Sequence, residues 1–295
     1  MGRSRGSRLS RRSGAQPPCG DQCFSAGTEM RARRQFGGFS NALLLFALIV
    51  AINQARSCEQ RRPPASSRVS TPVRNPVQDM LRPVAPAQRR EGIAAAILID
   101  TSGSMQDRVQ DTDGIQRRKI DIAQRAAMKL VSQFDTFARE HPDQVINLGI
   151  YEFSQRYRGS STRTVVKLGP PDPAAAGPAI SKMVAEGDTP IGDAMIVAKR
   201  DIDATGLSKR HILVITDGEN NKGYSPQNVT QIISSQAPED RASIYFVAFD
   251  VAATKFDSVR DSGGLVLAAS NETDLQGTLD YLLSGKILAE QPLAR

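Results

Sequence analysis

Three short stretches of this 295-residue chain carry oxygen-rich side chains at close spacing. They are Asp100-Thr101-Ser102-Gly103-Ser104, Gly187-Asp188-Thr189-Pro190 and Thr216-Asp217-Gly218-Glu219-Asn220. Hydroxyl and carboxylate oxygens suit hard cations, Mg2+ first among them, with Mn2+ and Ca2+ as alternatives. Gly103 and Gly218 allow the backbone to turn tightly beside such an ion. The three cysteines, Cys19, Cys23 and Cys58, lie far upstream, so no thiolate metal site is expected here. His141, before Pro142 at a helix end, and His211, opening a strand, have no partner that suggests catalysis and read as structural. Metal-assisted hydrolysis would need a placed base or nucleophile, and none pairs with these stretches. Binding without turnover is therefore expected, and the chain is read as no enzyme.

The elements that must position these residues are legible in the apolar periodicity. Ile93–Ile99 is a continuous apolar run bounded by turn residues, as in a strand buried on both faces. Similar runs are Val145–Phe153, Thr164–Leu168, His211–Thr216, Ser243–Phe249 and Leu265–Ala268. Between them lie helical patterns. The clearest is Lys119–Ala138, with apolar side chains at 120, 123, 127, 130, 134 and 137. Others are Ala174–Val184, Gly192–Asp203, Pro226–Ser235 and Thr273–Leu288. Alternation of this kind predicts an α/β fold: a Rossmann-like, doubly wound, mostly parallel sheet with helices on both faces. Only a polar loop separates Val145–Phe153 from Thr164–Leu168, which predicts one antiparallel edge strand. Ligands of such sheets sit at the carboxyl ends of strands, where the Asp100 and Asp217 stretches fall, while the Thr189 stretch is a loop leading into a helix.

Over roughly residues 91–285 the chain resembles the von Willebrand factor type A domains. The resemblance rests on their metal-ion-dependent adhesion site, whose pattern is Asp-x-Ser-x-Ser, then a Thr, then an Asp. Asp100, Ser102, Ser104, Thr189 and Asp217 match it. By that resemblance Ser102 and Ser104 bind the metal directly, and Thr189 does so in the ligand-bound form. Asp100 and Asp217 act mostly through water, and a carboxylate from a partner fills the last position. Hydroxyl ligands leave most of the ion's charge unneutralised, which favours an incoming Asp or Glu. The implied function is a metal-dependent, adhesion-type protein-binding module. The alternative is an assembly component of an envelope or ATPase-associated complex in which the metal supports assembly. The resemblance also implies a last helix that shifts on ligand binding.

Blander roles exist for each motif. Ser102 and Ser104 could cap a helix, Thr189-Pro190 makes a good N-cap–N1 pair, and Asp217-Gly218 could be a plain turn. Asp107, Asp111 and Asp113-Gly114 suggest a calcium loop. With Gly114 at position 6, however, Val109 and Ile120 fall where oxygen ligands are required, so a solvated loop is expected. Glu219 reads as a solvated charge. Gly285-Lys286 lacks the other residues of a phosphate loop.

Charge divides the chain. Residues 1–90 hold 16 Arg, no Lys and 4 acidic groups, hence +12, and residues 91–295 hold 22 basic and 27 acidic groups, hence −5. A globular nucleic-acid binder would carry its basic groups on the folded part, so no nucleic-acid partner is expected. Residues 1–57 form a basic arm around the apolar run 42–52, whose length is that of a signal-peptide core rather than a spanning helix. Arg33-Arg34-Gln35-Phe36 resembles the twin-arginine export signal. The chain is expected in the cell envelope, exported or membrane-anchored through residues 36–52. A cleaved signal, a retained anchor and lipidation at Cys58 stay open, as does a start at Met30 rather than Met1. Six prolines between 59 and 90 predict that residues 58–90 are a disordered, stiff linker, followed by the domain at 91–288 and a tail at 289–295.

Overall fold

The computed structural model describes residues 75–83, 89–155 and 160–290. The expected strands and helices form, with a few shifted ends. In chain order they are α1 (Pro76–Met80), β1 (Arg90–Asp100), β2 (Arg108–Gln110), β3 (Gln116–Arg118) and α2 (Lys119–Glu140). Then come β4 (Val145–Phe153), β5 (Thr162–Gly169), α3 (Pro173–Ile180), α4 (Ile191–Ala204) and β6 (Leu207–Thr216). The last are α5 (Pro226–Ser235), β7 (Ser243–Phe249), α6 (Asp257–Asp261), β8 (Leu265–Ala269) and α7 (Glu272–Leu282).

Six strands form one sheet in the order β5-β4-β1-β6-β7-β8. All neighbours are parallel except β4 and β5, which pair antiparallel at the edge as expected. β1 explains the architecture. Its odd residues Ile93, Ala95, Ile97 and Ile99 enter one core, and its even residues Ala94, Ala96 and Leu98 enter the other. A strand has period two, so an unbroken apolar run needs a hydrophobic layer on each face. α2 and α7 cover the first face with Ile122, Ala126, Phe134, Leu275 and Leu279. α4 and α5 cover the second with Ala194, Met195, Ile202, Val229 and Ile233. β1 lies between β4 and β6, so the connections depart to opposite sides of it. The crevice at the carboxyl ends of β1 and β6 is thus the sheet's switch point, where open α/β sheets place ligands.

Several expectations need correction. The linker expected to be disordered over 58–90 contributes α1. Asn75 caps that helix, Val77 and Leu81 are buried in the second core, and Gln236 donates to the Leu81 carbonyl at 2.7 Å. Two apolar side chains in a Pro-rich stretch are enough to tie it down. The loop at 106–116 is mostly a hairpin, β2 against β3, with Gly114 at positive φ in its turn. Two of its acidic groups are paired, and Asp107 and Asp113 stay exposed as expected. Asp113 pairs with Arg117 at 2.6 Å, and Asp111 accepts from Thr273. The last helix stops at Leu282 and continues as one wide π turn, Leu283–Ile287. The helix expected over 174–184 ends at Ile180, and the chain then turns toward the switch point. The apolar run 42–52, the twin-arginine stretch and Cys58 lie outside the described residues. Among the described residues no helix is long and apolar enough to cross a membrane.

Candidate metal site

β1 ends on Asp100, whose carboxylate is fully buried. Its Oδ1 accepts from the Ser102 backbone N–H at 2.7 Å, and its Oδ2 accepts from the Thr216 hydroxyl at 2.6 Å. Burial pushes this carboxyl up to about 7; the bonds from Thr216 and Ser102 oppose that rise, and the nearby Asp217 charge adds to it. After Asp100 the chain makes a single 3-10 turn, Gly103–Gln106, with Ser102 in the capping position but no side-chain capping bond. The cap role therefore does not consume the Ser102 hydroxyl. It lies 3.2 Å from the Ser104 hydroxyl, and Ser104 Oγ donates to Asp217 Oδ1 at 2.7 Å.

Asp217 follows the end of β6, the strand next to β1. Its other oxygen, Oδ2, accepts from Lys119 Nζ at 3.1 Å. Lys119 also meets Asp250 Oδ2 at 2.9 Å. Burial works against the Lys119 ammonium, but its bonds and charge pairing with Asp250 and Asp217 outweigh this and hold its pKa above the ordinary value.

Thr189 arrives from the loop before α4, which is pinned on three sides. Gln155 and Asp188 exchange backbone bonds at 3.0 and 3.1 Å, and Gly103 donates to the Gly187 carbonyl at 2.9 Å. Asn221 accepts from the Thr189 N–H with its side chain at 2.8 Å and donates its own N–H to the Thr189 carbonyl at 3.2 Å. α4 begins at Ile191 with Pro190 at its cap, so Thr189 is not the cap that the sequence suggested. No hydrogen bond of the Thr189 hydroxyl is found among the described residues. A methyl group on Gly218 would stand 3.8 Å from Thr189 Oγ1 and 3.9 Å from Ser104 Oγ. Gly218 therefore lies beside both hydroxyls, and a methyl group there would meet them at ordinary contact distance. Neither Gly103 nor Gly218 has positive φ, so the tight turn expected of them is not what either supplies.

The structure therefore brings all five expected residues, Asp100, Ser102, Ser104, Thr189 and Asp217, to one end of the sheet. The donor set is three hydroxyls and two carboxylates, a chemistry that fits a hard divalent cation. Among the described residues no group of three or more His, Cys, Asp or Glu side chains could hold a metal, so any such ion relies on the hydroxyls. Sequence reasoning missed three supporting residues, Asn221, Lys119 and Asp250, and gave Thr216, within a stretch it singled out, no role of its own. Only the Asn220-Asn221 pair after Gly218 was a signal in the sequence, since Asn there is suited to holding loop backbone. Both histidines are occupied elsewhere. His141 stacks on Phe137 at 4.0 Å, and the buried His211 stacks on Tyr245 at 6.0 Å and is held neutral by burial, down to about 3. Glu219 is exposed and pairs with Lys255 at 3.1 Å.

Residues 95–220 match the family model of the von Willebrand factor type A domain. Over that segment, less than half of the chain, it is similar to the family, and the fold described above is of the same kind. The matched segment includes all five site residues. A protein of Bacillus subtilis (strain 168) described as uncharacterized, YwmD, is 26% identical over 171 residues, 56% of this chain and 72% of its own length. Among solved structures, the PilB minor pilin from Streptococcus sanguinis superposes with a TM-score of 0.51 at 14% identity, over 69% of this chain and 63% of the pilin. BatB from Bacteroides thetaiotaomicron gives 0.51 at 18% identity, over 68% of this chain and 100% of BatB. A von Willebrand factor type A structure from Catenulispora acidiphila gives 0.51 at 19% identity, over 68% of this chain and 43% of its own. The chain thus spans less than two thirds of the pilin, and at these identities the likeness is one of fold.

Proposed function

We propose that this domain is a metal-dependent protein-binding module of the adhesion type. Ser102, Ser104 and Thr189 hold Mg2+ through their hydroxyls, while Asp100 and Asp217 orient them and supply the site's negative charge. The observation that carries this reading is the convergence of the Ser102 and Ser104 hydroxyls on Asp217, with Thr189 and Ser104 both beside Gly218. When bound, the ion supplies a coordination position for a carboxylate of a protein partner. The protein's own part is to leave the ion's charge largely unquenched, because its nearest ligands are neutral hydroxyls. The pilin and type A neighbours support a protein partner at the level of fold. Turnover is not part of the proposal, which is one of binding alone.

Titration calorimetry with MgCl2 tests the metal site. The wild-type chain is expected to bind one Mg2+, and Gly218→Ala to bind it at least about tenfold more weakly with its unfolding midpoint in EDTA almost unchanged, because the new methyl meets its neighbours only at ordinary contact distance. Equal affinity in the two proteins would overturn the reading. Peptides displaying Asp or Glu, compared with Asn and Gln versions, test the ligand: capture must require the carboxylate and vanish in EDTA.

We further propose that the domain works in the cell envelope, exported or anchored through residues 36–52. The support is the basic, twin-arginine-bearing arm ahead of an apolar run of signal-core length. Protease added to intact cells is expected to digest the domain once the outer layers are opened, with a mature N-terminus near 57 if the signal is cleaved. Recovery in the soluble cytoplasmic fraction would sink this placement.

A further inference from the structure

Lys119 is an unusual residue for its position. It is the first residue of α2, where the helix dipole disfavours a cation, and its side chain is buried, where an ammonium is costly. Two carboxylates compensate, and they come from different strands. Asp217 follows β6 and Asp250 follows β7, while the Lys119 N–H is held by the Asp107 carbonyl at 2.9 Å. Asp250 is fixed in place as well. It is the one non-glycine residue at positive φ among those described, 53°, and its N–H donates to the Ala269 carbonyl at 2.7 Å. The ammonium therefore sits behind Asp217, on the side away from Ser104.

We propose that Lys119 is a positioning residue that sets the strength of the cation site. It rests on the metal reading above. Its bond fixes Asp217 so that Oδ1 faces Ser104, and its charge offsets part of the carboxylate charge that the ion would otherwise feel. Asp250 acts in the opposite sense, by drawing part of the Lys119 charge to itself. A site weakened in this way keeps more of the ion's charge for an incoming carboxylate.

Charge sign separates this role from a merely structural one. Removing a structural ion pair would loosen the site and weaken metal binding. Removing a cation that opposes the metal would strengthen it. Calorimetry of the full chain with MgCl2 at constant ionic strength is the test, with unfolding in EDTA measured alongside. Lys119→Met is expected to bind Mg2+ about tenfold more tightly, the scale of a unit charge acting on a divalent ion at a partly solvated site. Lys119→Arg keeps the charge and is expected within about twofold of wild type. Asp250→Asn, which suits the left-handed backbone there, is expected to bind about threefold more weakly. Unchanged or weaker binding by Lys119→Met overturns the inference. Should that variant not fold, unchanged or tighter binding by Asp250→Asn overturns it. No Mg2+ binding by the wild type and loss of the Gly218→Ala difference overturn the metal reading itself, and this inference with it.

Discussion

Asp100→Asn is expected to abolish Mg2+ binding and at the same time to stabilise the metal-free domain at pH 8. The two effects have one cause. The Asp100 carboxylate is fully buried, so burial raises its pKa from 3.8 to about 7 in the folded protein. The folded state therefore holds a proton that the unfolded chain has already released, and stability from this group falls as the pH rises from about 4 to about 7. Above pH 7 the fold carries a buried charge at full cost. Asparagine removes that charge and keeps the geometry. Its Oδ1 accepts from the Ser102 N–H, and its Nδ2 donates to the Thr216 hydroxyl, which is left to donate to the Gly218 carbonyl 3.0 Å away. A shift of roughly three pH units sets an upper scale of about 4 kcal/mol, and imperfect bonding of the amide lowers it to on the order of 2 kcal/mol. Denaturant unfolding in EDTA is expected to show the variant ahead at pH 8, with the gap closing toward pH 4. Added Mg2+ reverses the order, because only the wild type gains RT ln(1 + [Mg2+]/Kd). A variant less stable than wild type at pH 8 in EDTA would contradict this account of Asp100.

Gly192→Ala is expected to lose both stability and the site. A methyl group there would meet the Tyr224 carbonyl oxygen at 2.0 Å and its carbon at 2.6 Å. These are backbone atoms, so no rotamer change relieves the clash. The loop leading into α5 must move, or the first turn of α4 must. That loop carries Asn220 and Asn221, whose side chains accept from the Gly192 and Thr189 N–H groups at 3.4 and 2.8 Å. Asp193 adds to the fit by accepting from the Tyr224 N–H at 2.9 Å, with Gly223 at positive φ against its carboxylate. The cost is about 3 kcal/mol, at the upper end for overpacking, since the displaced atoms are backbone. Thermal unfolding checks the stability, and Mg2+ titration of the surviving folded fraction checks the site. A midpoint within a degree of wild type would refute the close packing of Gly192 on Tyr224.

How far the sequence could be read depended on whether the signal was periodic. The unbroken run at 93–99 implied a strand covered on both faces, and the stripe in α2 implied its partner layer, because periodicity is a local consequence of which side faces the core. The candidate site residues were legible for a related reason. Asp100 ends β1, Ser102 and Ser104 follow it and Asp217 follows β6, so strand placement carried them to one end of the sheet. α1 was not legible, because its burial rests on two side chains, Val77 and Leu81, in a Pro-rich stretch without a period. The β2–β3 hairpin was equally hidden, since each of its strands has only three residues and the pairing of Asp111 with Thr273 spans 162 positions.

By itself the sequence determined a mostly parallel α/β sheet, the order of its elements and the five oxygen-bearing residues at its switch point. It also determined the separation of a basic arm from an acidic domain. Only the tertiary structure decided what surrounds those five residues. Lys119 reaches Asp217 across 98 positions, and the Thr216 hydroxyl reaches Asp100 across 116. Such pairs leave no periodic trace, because each depends on where strands and helices end in space. The approach of Gly218 to Thr189 and Ser104 is likewise a property of three chain segments at once. The residues that bear the oxygens follow from local pattern, whereas their charge, orientation and freedom to take an ion follow from packing.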